Sequence, residues 1–294
     1  MLRQKLGTDV FWAAVGKYLR KHRGSIVETR DLILALEEES GLSLEKFFDQ
    51  WVYRAGHPEL DVKVSYDDGS LVFDVDQTQG GDDATVFEFG FEVDVCVDGQ
   101  WTHHRRNIDE RKSALVVHTG SRPTALVIDP DFTVTAPIKL TGPADILRNS
   151  LREAPTARGR AAAANALRRR PDPLSITALE QCLGRENEAW MVRAEAASAL
   201  SAISGDAARD ALLAAQSTTH PKVRRAIVAA LGEFRGEAVA TALATLASKD
   251  ESYLVSAAAA RSLGKTKAEN APEQLRPLLK KNSWADVIRA GALE

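Results

Sequence analysis

The spacing of apolar residues changes twice along this chain of 294 residues. Up to residue 56 it is helical. Val10, Phe11, Ala14, Val15, Tyr18 and Leu19 predict a helix over Asp9–His22. Lys21, His22 and Arg23 close it against the negative end of its dipole, and Gly24 follows. A second helix is expected after Thr29 as N-cap, with Asp31 in its first turn. It carries Leu32, Ile33, Ala35 and Leu36, and Gly41 ends it. A third, after Ser43 as N-cap, places Leu44, Phe47, Phe48, Trp51 and Val52 on one wide face. So short a module buries little surface alone. The face of Leu44, Phe47, Phe48 and Trp51 is therefore expected to be covered by the next module or by a second copy of the chain.

Over residues 57–140 the period falls to two. Leu60–Tyr66 alternates, Asp67, Asp68 and Gly69 turn, and Leu71–Val75 returns: a hairpin signal. Val86–Val97 reads as a long strand, with Phe87, Phe89, Phe91, Val93, Val95 and Val97 on one face and Glu88, Glu92 and Asp94 on the other. Asp98 and Gly99 turn it into Gln100–Arg106. Leu115–His118 and Ala125–Ile128 add two strands, and Asp129, Pro130 and Asp131 form a turn. About seven short strands with regular turns predict an antiparallel β-sandwich with one side wet.

Residues 141–294 return to the helical period and repeat. Four Ala-rich segments end at Leu167, Leu200, Leu231 and Leu263, at separations of 33, 31 and 32 residues, and a fifth begins at Ile288. Second helices are expected at Ile176–Leu183, Ala207–Ala215, Ala238–Ala247 and Pro272–Lys281. Two helices per unit of this length make an α-solenoid. It resembles the short HEAT-like repeats, whose Ala-rich helix opens with Val-Arg. That pair stands here as Val192-Arg193, Val223-Arg224 and Ile288-Arg289, and Val255-Ser256 departs from it. The fold class is thus multidomain: terminal helices over 1–56, an antiparallel sandwich over 57–140, helix pairs over 141–294. Both ends of the sequence fall within elements, and the expected setting is a longer parent protein.

Composition changes this picture little. The net charge is −3, too small to name a whole-chain partner. Its distribution sets the modules apart: residues 57–140 carry 7 Lys and Arg against 16 Asp and Glu, residues 141–294 carry 22 against 17. Cys96 and Cys182 lie in different modules, so no disulfide framework is expected and both read as reduced, buried thiols. A reducing cytoplasm is compatible, the compartment is left open, and any signal peptide would lie upstream. No apolar run is long enough to span a membrane.

The run from Ser43 to Val62, with Phe47, Phe48, Trp51, Gly56, His57 and Pro58, resembles the end of the catalytic domain in the M1 family of zinc aminopeptidases. Tyr18–His22, the Thr29–Leu36 helix and the stretch from Phe89 to Pro130 extend the likeness over about residues 9–140. In that family a β-sandwich follows the catalytic domain, and a helical repeat domain closes over the active site. The module order here is the same. The resemblance implies a parent metallopeptidase, a hydrolase in which two His, a downstream Glu, a catalytic Glu, a Gly-Ala-Met-Glu-Asn motif and a tyrosine all lie upstream. No H-E-x-x-H pair occurs among His22, His57, His103, His104, His118 and His220. No catalytic, cofactor-binding or metal-ligating residue is therefore carried over, and no cofactor is expected in this chain. Zinc is expected in the parent's upstream domain.

Bland readings account for the other candidates. His57 precedes Pro58, which holds the chain extended at a junction. His103 and His104 are adjacent on a strand, point to opposite faces and cannot chelate together. The Asp129–Asp131 and Asp67–Gly69 segments lack a calcium-loop pattern and read as turns. Arg160, Arg193, Arg224 and Arg289 recur at one repeat position. A basic ladder for phosphate backbones is one reading; pairing within each repeat is the other, favoured because aromatic residues do not interleave with them. Arg168, Arg169 and Arg170 read as a basic helix C-terminus. The expected function is the non-catalytic C-terminal portion of an M1-like aminopeptidase, shaping the substrate chamber, inactive alone and partnered by its own upstream catalytic domain. The alternative is an inactive HEAT-repeat scaffold for protein contacts. Self-association is left open, nucleic acid is disfavoured and no membrane partner is expected.

Overall fold

The computed structural model describes residues 1–80 and 85–294. Its first elements are the helices α1 (Leu2–Leu6), α2 (Thr8–Lys21), α3 (Thr29–Ser40) and α4 (Glu45–Phe48). The two expected N-caps are corrected. Thr29 is the first residue of α3. Its cap is Glu28, in a capping box whose other half is Asp31, and two orphan helix-start donors are satisfied at once. Ser43 caps nothing: α4 starts after Leu44, without a side-chain cap, and relaxes into a π-helical turn at Asp49–Tyr53. Gly41 ends α3 in the left-handed conformation, as its lack of a Cβ allows.

This change of pitch splits the aromatic face. Leu44 and Phe48 turn inward and join Leu6, Ala14 and Leu36 in a small core of their own. Trp51 leaves that core and lies against Phe87 of the next module, with 5.1 Å between ring centroids. Gln50 fixes the junction: its amide donates to the Glu88 carbonyl at 2.8 Å and accepts from the Glu88 N–H at 2.7 Å. Exposed apolar side chains of this module include Trp12, Leu19, Ile26, Val27 and Leu34.

Among the described residues seven strands form two facing sheets. β1 (Leu60–Asp67), β2 (Ser70–Gln77), β5 (Lys112–His118) and β7 (Ile138–Thr141) pair in the order β5-β2-β1-β7. β3 (Phe89–Val97), β4 (Gln100–Ile108) and β6 (Ala125–Ile128) pair as β4-β3-β6. Every pairing is antiparallel except β1 with β7. Asp68 and Gly69, then Asp98 and Gly99, both sit at positive φ in two-residue loops. That is the primed hairpin turn whose twist matches the strands. Val62, Phe73, Val75, Phe91, Val93 and Val95 fill the space between the sheets, and the Phe73 and Phe91 rings meet edge-on at 6.3 Å. The expected strand from Val86 starts three residues later, at Phe89. The lead-in is held by Gln77, whose amide brackets the Phe87 backbone at 2.8 and 2.9 Å.

The second sheet is not wet on its outer side along its whole length. All four residues of β6 are buried, and so is Cys96. The cover is α5 (Ala144–Glu153), a helix the periodicity did not isolate. Its buried Ser150 accepts the free N–H of Leu126 at 2.9 Å. From there the first helices of successive pairs are α6 (Ala157–Leu167), α8 (Trp190–Ile203), α10 (Pro221–Leu231), α12 (Tyr253–Thr266) and α14 (Val287–Leu293). The second helices are α7 (Pro173–Gly184), α9 (Asp206–Ala214), α11 (Glu237–Lys249) and α13 (Ala271–Leu275), the last continuing as a 3-10 turn at Arg276–Lys280. Small residues set the approach. A Cβ on Gly291 would come within 2.4 Å of the Ala257 carbonyl oxygen, and one on Gly232 within 2.9 Å of Ser262. One apolar core runs without a break from the sandwich into the solenoid.

Candidate functional site

The recurring arginines are committed inside the solenoid. Arg160 forks onto Glu188 at 2.8 and 2.9 Å and donates to the Ala154 carbonyl at 2.7 Å. Arg193 donates to the Leu183 carbonyl and to Glu186, both at 2.9 Å, and to the Thr218 hydroxyl. Arg224 forks onto Asp250 at 2.8 and 3.1 Å and donates to the carbonyls of Thr218 and Thr219. Arg289 donates to the Leu279 carbonyl at 3.0 Å. Even the departing copy keeps the pattern: Ser256 Oγ donates to the Leu246 and Asp250 carbonyls. Each side chain ties a helix start to the backbone of the preceding loop or helix end, where carbonyls lack intrahelical partners. Arg160 and Arg224 also bind an acid of the following loop. The ladder is a set of inter-repeat clamps. The Arg224 guanidinium is held above its ordinary value by Asp250, and hydrogen bonds from Arg193, Thr219 and Thr218 lower Glu186 to about 2.

An aromatic residue stands beside this ladder. Trp190 lies three residues before Arg193, stacked on His220 at 6.1 Å with the Lys222 ammonium 4.3 Å above its ring.

The remaining candidates are held apart. His57 is exposed beside the buried Pro58. His103 Nδ1 bonds Asp94 at 2.8 Å, while His104 Nε2 meets Thr102 Oγ1 at 2.9 Å. Asp129 is more than a turn residue. It is buried, its Oδ1 accepts from the Thr133 N–H and hydroxyl, and its Oδ2 accepts from Arg158 on α6 at 3.2 Å. The Arg158 guanidinium lies 3.8 Å over the exposed Phe132 ring, so this loop latches the sandwich to the solenoid. Among the described residues no group of three or more His, Cys, Asp or Glu side chains could hold a metal ion.

A feature the sequence reading passed over is a cleft of about 80 Å³ between α1, the π-turn and the outer side of β3 and β4. Glu92 lines it while being only 3% exposed. Its Oε1 lies 3.6 Å from Arg105, too far for a hydrogen bond, and its Oε2 has no partner. Burial pushes its carboxyl up, against the pull of Arg105. Alternation alone had placed Glu92 on a wet face. The loop after β6 lies against it, with the Asp129 N–H donating to the Glu92 carbonyl at 2.8 Å and Thr133 lining the cleft, and contacts so distant in sequence leave no periodic signal.

These modules define a class of protein: terminal helices and a β-sandwich fused to an α-solenoid. The HEAT repeats family matches residues 144–219 and 211–294, and the chain belongs to that family. Its curated relatives include Aminopeptidase M1 of Arabidopsis thaliana, 35% identical over 71 residues, which are 24% of this chain and 8% of the relative. Aminopeptidase M1-C of Oryza sativa subsp. japonica is 28% identical over 127 residues, 43% of this chain and 13% of the relative. The match thus spans a small part of each. Among solved structures, Legionella pneumophila aminopeptidase A in complex with aspartic acid superposes with a TM-score of 0.66 at 15% identity, over 95% of this chain and 40% of that one. The M1 resemblance read from residues 9–140 is borne out, and the fold of an aminopeptidase's helices, sandwich and repeats is shared.

Proposed function

We propose that this chain is the non-catalytic C-terminal portion of an M1-like zinc aminopeptidase, shaping and closing the chamber in which the parent holds peptide substrates. The observation that supports it is the superposition of 95% of the chain, through all three modules in order, on a region amounting to 40% of an aminopeptidase. The exposed apolar side chains of the first module, Trp12, Leu19, Ile26, Val27 and Leu34, offer surface on which an upstream catalytic domain would sit. Zinc belongs to that domain in this reading, with no ligand from the residues here.

The test has two arms. Pure chain is assayed against aminoacyl anilides, with no hydrolysis expected; metal-dependent hydrolysis by pure chain would overturn the reading. The gene is also read upstream of the Leu2 codon. An in-frame H-E-x-x-H with a glutamate about twenty residues further on supports the proposal. A comparable upstream length without those ligands favours an inactive scaffold, the second reading, which the solenoid supports because stacked helix pairs present extended binding surfaces.

A further inference from the structure

We propose that the cleft beside Glu92 is a binding site for a small zwitterionic α-amino acid, a free molecule of the size of glycine or alanine. Four features select this ligand. The first is size: at about 30 Å³ per water, a volume of about 80 Å³ holds two or three waters, room for the ammonium end of such a molecule while its carboxylate stays at the rim. The second is the floor. Glu92 is almost wholly buried, its Oε2 is unpartnered and its Oε1 lies beyond hydrogen-bond reach of Arg105. A buried carboxylate in that condition gains strongly from a charged donor. Rotation about the last side-chain torsion, which is soft and two-fold, turns either oxygen toward the cleft. Burial raises the Glu92 carboxyl, Arg105 and then His103 pull it down, and Asp129 and Asp131 add negative potential against them.

The third is the rim. Lys5 and Arg105 line the same cleft beside Glu88, whose carboxylate is engaged by Lys46, and the Arg105 side chain is half exposed. Its position depends on Gly90, where a Cβ would stand 2.7 Å from the guanidinium nitrogens. A bare cation would meet these two charges unfavourably, and a bare anion would meet Glu92. A zwitterion satisfies both, with its ammonium down at Glu92 and its carboxylate up at Arg105 and Lys5. The fourth is the wall of Phe47 and Trp51, against which a methyl side chain packs.

The experiment is a heteronuclear NMR titration of the full chain, read at the Gly90 amide and the Trp51 indole N–H. L-alanine is the ligand; methylammonium and acetate are its two halves. The expected result is saturable shifts with alanine, and affinity at least tenfold weaker for either half. Glu92→Gln, a near-isosteric change, is expected to weaken alanine binding at least tenfold while leaving the spectrum dispersed. Lowering the pH through the raised Glu92 titration is expected to release alanine from the wild type. Absence of saturable shifts up to about 100 mM, equal affinity for methylammonium, or unchanged affinity in Glu92→Gln would each overturn the proposal.

Discussion

Arg224→Ala should destabilise the solenoid by about 3–5 kcal/mol, the cost of leaving a buried ionic partner uncompensated. The side chains of Arg224 and Asp250 are 8% and 3% exposed, and the pair is bidentate. The substitution strands the Asp250 carboxylate and removes the donors to the Thr218 and Thr219 carbonyls. It also uncouples α10 from the loop that starts α12. The assay is urea unfolding followed by far-UV circular dichroism, with amide exchange resolved per helix, since repeat arrays are held by nearest-neighbour coupling. Protection should fall first in α10 and α12. Arg209→Ala is the control. Arg209 also binds two carboxylates, Asp206 and Asp210, but on the surface, where such pairs contribute below about 1 kcal/mol. The double replacement Arg224→Met with Asp250→Leu should recover only the part due to the stranded carboxylate, because the Thr218 and Thr219 carbonyls and the Ser252 N–H stay without their side-chain partners. A loss below about 1 kcal/mol in Arg224→Ala, no larger than that of Arg209→Ala, would refute the view that these arginines are structural clamps.

Three further outcomes follow from the same contacts. Glu186 titrates near 2 in the fold against an ordinary 4.5, so its contribution is complete above the unfolded value and is lost as the pH falls through the folded one; Glu186→Gln should flatten the stability profile between those limits. Burial pushes the Cys182 thiol to about 11, and both cysteines are buried, so a thiol reagent at pH 8 should label neither until denaturant is added; rapid labelling of native protein would contradict this. Gly291→Ala would force a Cβ against the Ala257 carbonyl oxygen at 2.4 Å, and should loosen α14 from α12 at a cost of about 1–3 kcal/mol, seen as faster amide exchange confined to the last helices.

The sequence by itself determined most of the elements, though not α1, β7 or α5. A period of two over Leu60–Tyr66 and Leu71–Val75, broken by Asp68 and Gly69, can form only a hairpin with one apolar face. The Ala-rich segments ending at Leu167, Leu200, Leu231 and Leu263 repeat too regularly to be anything but stacked helix pairs. These signals are local, carried by residues a few positions apart. Tertiary structure alone decided what those elements do to one another. α5 buries the far side of β6, and Glu92 is buried on the face that alternation had left wet. Trp51 abandons its own helix face for Phe87. The arginines find acids 26 and 28 residues further on, and Asp129 reaches Arg158 on a helix of the next module. The physical reason is that burial and charge pairing depend on which surfaces meet across long loops. Alternation records only that a side chain points away from its own sheet, not whether another module lies beyond it.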